Sequence, residues 1–163
     1  MRQDVKLVMK FQVNHINMND REYMQVAFAL AKEAYFNDEV PVGAIVVYKD
    51  KIIGKGRNRR IETKDVTSHA EIEAIKEAER YLSSYILDEC TLYTTLEPCP
   101  MCSYAIMETH IKKLVYGAPD EKRGAITNLD IFNKHLGTKV DVYGNIMEEE
   151  AKELLQKFFK NKR

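Results

Sequence analysis

His69-Ala70-Glu71 and Pro98-Cys99-Pro100-Met101-Cys102 place one imidazole, one carboxylate and two thiols at the starts of two predicted helices. Zn²⁺ favours imidazole and thiolate ligands, and a catalytic zinc keeps three protein ligands so that its fourth position can take water. His69, Cys99 and Cys102 make three, and no fourth donor accompanies them. The pattern therefore predicts a catalytic centre and not a closed structural one. Glu71 follows His69 by two positions, close enough to move protons on and off a metal-activated water without itself being a ligand.

Working outward, Thr67 or Ser68 is expected to cap a helix carrying Ala70, Ile72, Ala74, Ile75 and Ala78, with His69 and Glu71 in its first turn. Thr91 to Thr95 reads as a short strand. Pro98 suits the first turn of the next helix, where its missing N–H would be unpaired anyway, and Cys99 and Cys102 would then share a face. Helix N-termini favour thiolate over thiol, so both cysteines are predisposed to bind metal. Upstream, Asn19 with Glu22 resembles a capping box, and Tyr23, Met24, Ala27, Phe28, Ala31, Ala34 and Tyr35 follow at helical spacing. Val42 to Tyr48 and Ile52 to Gly56, joined at Lys49-Asp50-Lys51, read as a hairpin that delivers Asn58. Downstream, Lys113 to Tyr116 and Lys139 to Tyr143 are expected strands. Met147 to Phe159 is a last amphipathic helix using Ala151, Leu154, Leu155, Phe158 and Phe159. Helices and strands alternate, which makes the class α/β.

The chain has 163 residues with 45% hydrophobic content, enough for one core and one domain. Residues 1–18 are expected to be an N-terminal extension and 19–163 the functional domain. Lys plus Arg and Asp plus Glu both number 25, so attraction to a nucleic acid must come from local patches. Met1 to Lys10 is too interrupted by charge for a signal peptide or a membrane span, and no membrane partner is expected. With two of three cysteines assigned to metal, a disulfide framework is excluded and the cytoplasm is the expected compartment. A redox C-x-x-C pair or half of a Cys₄ site fits poorly, because the third cysteine, Cys90, opens a predicted strand and reads as core. His15, His110 and His135 lack a partner motif and read as surface or packing residues.

H-x-E followed by P-C-x-x-C is the signature of the zinc nucleobase deaminases. Beyond it, Glu39-Val40-Pro41-Val42-Gly43-Ala44, Thr95-Leu96-Glu97-Pro98-Cys99, Val115-Tyr116-Gly117-Ala118 and Phe158-Phe159 resemble the bacterial tRNA adenosine deaminases, from about Asn19 to Arg163. That resemblance implies a cytidine deaminase-like three-layer α/β/α sandwich with a mixed five-stranded sheet. It implies Zn²⁺ on His69, Cys99 and Cys102, Glu71 as proton shuttle and Asn58 on the purine edge, with Val40, Ala70 and Pro98 lining the base pocket. It also implies a homodimer acting on the wobble adenosine of a tRNA anticodon stem-loop, with inosine as product. A target base already in a single-stranded loop is cheap to draw into a pocket.

Contacts to RNA are expected from Lys55, Arg57, Arg59 and Arg60 around Asn58, from Lys122 and Arg123, and from Phe159, Lys157, Lys160, Lys162 and Arg163 at the C-terminus. Two departures from the family pattern stand out. Tyr104 replaces a small residue after Cys102 and is expected to face away from the ligands, altering helix packing or a subunit contact. Ile126-Thr127-Asn128 replaces small residues in an expected loop beside the RNA. The alternatives are a free-purine (guanine) deaminase and a non-catalytic RNA-binding relative. The basic clusters oppose the first, and the presence of Glu71 opposes the second.

Overall fold

The computed structural model describes residues 18–134 and 139–162. Its centre is Ala44-Ile45-Val46-Val47 of strand β1 (Gly43–Tyr48), a continuous apolar run buried on both faces. Side chains alternate across a strand. Ala44 and Val46 join one core cluster with Ala70, Ala74, Ile75 and Ala78, while Ile45 and Val47 join a second with Met24 and Ala27. The same alternation divides Leu92 from Tyr93 and Leu114 from Val115, so one sheet separates two cores. The expected three layers follow.

The first layer holds α1 (Met18–Phe36) and the C-terminal α7 (Glu148–Lys160). The sheet adds β2 (Lys51–Arg57), β3 (Cys90–Leu96), β4 (Lys113–Ala118) and β5 (Asp141–Tyr143) in the order β2-β1-β3-β4-β5. It is mixed: β1 is antiparallel to β2 and β3, while β3, β4 and β5 are parallel. The opposite layer contains α3 (Ala70–Leu82) and α4 (Pro100–Glu108), and the short helices α2 (Arg60–Thr63), α5 (Ala125–Leu129) and α6 (Ile131–Lys134) sit in connections. The five-stranded α/β/α sandwich is thus as expected.

Glycines let β2 lie against α3. A Cβ on Gly56 would fall 2.1 Å from the Ala70 carbonyl oxygen, and one on Gly54 would fall 2.2 Å from that of Ala74. No larger residue could be accommodated without moving α3, the helix that begins at the metal-ligand motif.

Several local expectations are corrected. Asn19 lies inside α1, which is already helical at Met18, so it is not the cap. His69 itself is the N-cap of α3, with extended φ −81° and ψ 154°. Thr67 instead bonds Asp65, and the Ser68 hydroxyl donates to Glu73 at 2.8 Å. Pro100, not Pro98, takes the first helical position of α4. A proline pushes the residue before it towards extended backbone, and Cys99 accordingly caps α4 with φ −72° and ψ 171°. Residues 126–128 are not loop but belong to α5. His15, His135 and Arg163 lie outside the described residues.

Candidate active site

Two helix starts meet over the sheet. His69 caps α3 and Cys99 caps α4, and neither side chain bonds its own helix, which leaves both free to face each other. Cys102, one turn further along α4, is fully buried. His69 Nδ1 lies 3.6 Å from Cys99 Sγ and 3.4 Å from Cys102 Sγ. A tetrahedral zinc with its usual bond lengths holds sulfur and nitrogen ligands about 3.6 Å apart. The three residues therefore fit zinc, through Nδ1 of the imidazole, and among the described residues their ligand atoms all lie within 4.8 Å of one another.

Proton positions in this cluster follow from burial and mutual bonding. The Cys99 thiol is pulled down to about 4, chiefly because the Cys102 thiol donates to it and then because His69 does. Cys102 is pushed far above the ordinary thiol range by the Cys99 sulfur beside it and by burial. His69 is raised, first by its bond to Cys99.

Glu71, in the first turn of α3, is buried. Its Oε2 lies 3.5 Å from Cys102 Sγ, and its Oε1 accepts from Thr94 Oγ1 at 3.3 Å. Desolvation raises its carboxyl pKa above the usual range. A carboxyl so placed lies beside the His69-Cys99-Cys102 cluster, and burial favours its protonated form.

Asn58, at the end of the hairpin, is 7% exposed, and its Oδ1 has no hydrogen-bond partner. Buried amide oxygens are almost always satisfied, and among the described residues only Ser103 Oγ shares this condition. Val40 is half-buried against the core cluster that contains Ala70, and Pro98 is buried with its carbonyl accepting from Ala125 N at 3.0 Å.

Two buried glutamates were not singled out from sequence. Glu39 accepts from the backbone N–H groups of Ile61 and Glu62 at 3.0 and 2.9 Å, fixing α2 just after Asn58. Glu97 accepts from Asp120 N, Ile126 N, Thr127 N and Thr127 Oγ1, fixing the segment after β4. Their signal was present: each immediately precedes an expected pocket residue, Val40 or Pro98. Thr94, which reads as an ordinary strand residue, carries no comparable signal.

The basic residues divide into two groups. Arg57 has a largely covered side chain paired with Glu33 and Glu62, Arg59 pairs with Glu62 and Glu73, and Lys162 pairs with Asp38. Lys122 and Lys160 are exposed. Phe158 is buried while Phe159 is 50% exposed, their rings edge to face at 5.3 Å. Tyr104 is half exposed, so it does not disturb the core.

Residues 18–163 match the family model of MafB19-like deaminases. The chain is 44% identical over 150 residues to the tRNA-specific adenosine deaminase of Aquifex aeolicus, covering 90% of this chain and 97% of that one. Among solved structures it resembles one from a study of A-to-I editing by tRNA:A34 deaminases at the wobble position of transfer RNA. That match has 40% identity and a TM-score of 0.79, over 82% of this chain and 99% of the other. It also resembles a guanine deaminase from Bacillus subtilis, at 39% identity and a TM-score of 0.58, over 64% of this chain and 66% of the other. With its sandwich, its His-Cys-Cys cluster and a buried glutamate beside it, the chain belongs to the tRNA-specific adenosine deaminase family.

Proposed function

We infer that the protein hydrolyses the exocyclic amine of the wobble adenosine in a tRNA anticodon loop, giving inosine and ammonia. The observation that carries this reading is the buried Glu71 carboxyl beside the His69-Cys99-Cys102 cluster, three residues that would hold a zinc. Zinc held by His69, Cys99 and Cys102 supplies Lewis acidity and lowers the pKa of water there to about 7.

The chain's own groups do the rest. Glu71 takes one proton of the attacking water and passes it to the ring nitrogen next to C6, then carries the proton left on the new C6 hydroxyl to the departing amine, so that ammonia leaves and the 6-oxo purine keeps its ring N–H. Its raised pKa suits it to hold that proton between steps. Thr94 Oγ1, bonded to Oε1, steadies the carboxylate. Asn58 turns its unpaired amide oxygen to the purine edge, and Val40, Ala70 and Pro98 wall the base. Lys122, Lys160 and Phe159 offer exposed charge and an aromatic face to the loop backbone and bases. Arg57, Arg59 and Arg163 complete the proposed RNA contacts, the first two from within ion pairs.

The same reading takes Zn²⁺ as resident metal, the cytoplasm as compartment and a homodimer as the working form. The exposed apolar Ile61 and Val66, on the segment that follows Asn58, are surface a second copy would cover.

The test is to incubate zinc-loaded protein with an anticodon stem-loop bearing wobble adenosine, and separately with free guanine, adenine and cytidine. Inosine in the loop is expected. Turnover of guanine without turnover of RNA would overturn the reading. In the same assay Glu71→Gln should keep stoichiometric zinc and lose about 10²- to 10⁴-fold in rate. Near-normal turnover in that zinc-loaded variant would remove Glu71 from its role.

A further inference from the structure

We propose that Glu97 and Thr127 are a positioning pair that couples the metal-ligand loop to the basic rim of the pocket, and so sets affinity for a macromolecular substrate. The inference rests on the proposed RNA-deaminating function and adds a specificity determinant to it.

Glu97 is 2% exposed and stands two residues before Cys99. A buried carboxylate is tolerated only when its oxygens are bonded. Here one oxygen accepts from Asp120 N at 3.3 Å and from the Thr127 hydroxyl, and the other accepts from Ile126 N at 3.2 Å and Thr127 N at 3.0 Å. Gly124 is pressed so closely on this carboxylate that a Cβ there would fall 1.7 Å from Oε2. Asp120 Oδ1 in turn accepts from Lys122 N and Arg123 N at 3.1 and 3.0 Å. One buried acid thus anchors the turn that presents Lys122 and Arg123, while Pro98 ties to Ala125 from the same loop. The ligand loop and the rim are held as one body.

Thr127 lies in the Ile126-Thr127-Asn128 segment of α5. Its hydroxyl turns inward to Glu97 and adds a charge-assisted bond that a residue without a side-chain hydroxyl cannot make. The hydroxyl therefore fixes the rim from inside and does not contact substrate.

Thr127→Val removes that one bond while keeping shape. With the stem-loop, KM should rise about tenfold, on the scale of one lost hydrogen bond, while kcat and zinc stoichiometry stay at wild-type values and Thr127→Ser restores KM. A residue serving only to hold the fold would lower kcat and zinc content together at unchanged KM, and that result would overturn the proposal, as would an unchanged KM. Amide exchange without RNA provides a readout independent of substrate. Exchange across residues 120–127 should quicken in Thr127→Val and stay unchanged across 69–72, and equal exchange in the two proteins would overturn the pair. If the wild type leaves the stem-loop untouched, the proposed function fails, and amide exchange alone decides the coupling.

Discussion

At His69 the sequence offered two ring nitrogens, and the fold selects Nδ1, because the N-cap position points that edge at both sulfurs. The cluster then has a definite proton inventory. Cys99, held down to about 4, is thiolate at neutral pH, whereas Cys102, held far above the ordinary thiol range by Cys99 and burial, keeps its proton. Zinc binds thiolate, so uptake must expel the Cys102 proton. Lowering the pH restores that proton and opposes binding, and raising it assists. Zinc affinity should therefore climb by about tenfold per pH unit across the neutral range. Calorimetry of the zinc-free protein in buffers of different ionisation enthalpy should find about one proton released per zinc, with a further fraction where His69, itself raised, is still charged. Binding that ignores pH between 6 and 8 would contradict this assignment of protons.

Among elements, the decisive arrangement is the close approach of β2 to α3. Gly56 meets the Ala70 carbonyl in the first turn of the helix whose cap is His69, so the hairpin fixes the height of that ligand over the sheet. Gly56→Ala drives a methyl group into backbone, which cannot move aside as a flexible side chain could. A loss of about 3 kcal/mol is expected, the upper end of ordinary overpacking. Thermal denaturation should show it at about 2–4 °C per kcal/mol, and zinc should bind more weakly because His69 moves with α3. Unchanged melting and zinc affinity would mean that the contact is slack. This contact was not legible in the sequence, where Gly54 and Gly56 look only like weak strand residues. The clustering of His69, Cys99 and Cys102 with Glu71 was legible because metal chemistry limits both residue type and spacing. The hairpin was legible because an apolar β-branched run meets the polar turn Lys49-Asp50-Lys51, and the long helices because their apolar periods are regular. Glu39 and Glu97 were only weakly legible, from their places beside Val40 and Pro98, since a lone acid reads as solvated charge until backbone N–H groups are seen to converge on it. Pro98 and Pro100 compete for one helix start, and only the extended backbone of Cys99 decides between them.

The whole molecule carries no net charge, with 25 basic and 25 acidic side chains. A uniform field therefore cannot draw in RNA, and binding must rest on a few local contacts whose salt dependence can be counted. The fold narrows the candidates. Arg57, Arg59 and Lys162 are engaged with Glu33, Glu62, Glu73 and Asp38, so part of their charge is already neutralised within the chain. Lys122, on the turn anchored by Glu97, and Lys160, beside the exposed Phe159, present their charge to solvent on two separate elements. Each phosphate contact contributes about one unit to the slope of log affinity against log salt. Lys122→Ala with Lys160→Ala should flatten that slope for an anticodon stem-loop by about two. The same double variant of Arg57 and Arg59 should flatten it less, because part of their charge is already neutralised by Glu33, Glu62 and Glu73. Titration by fluorescence anisotropy at several salt concentrations separates the pairs. An unchanged slope in the lysine variant would move the RNA interface away from these two elements.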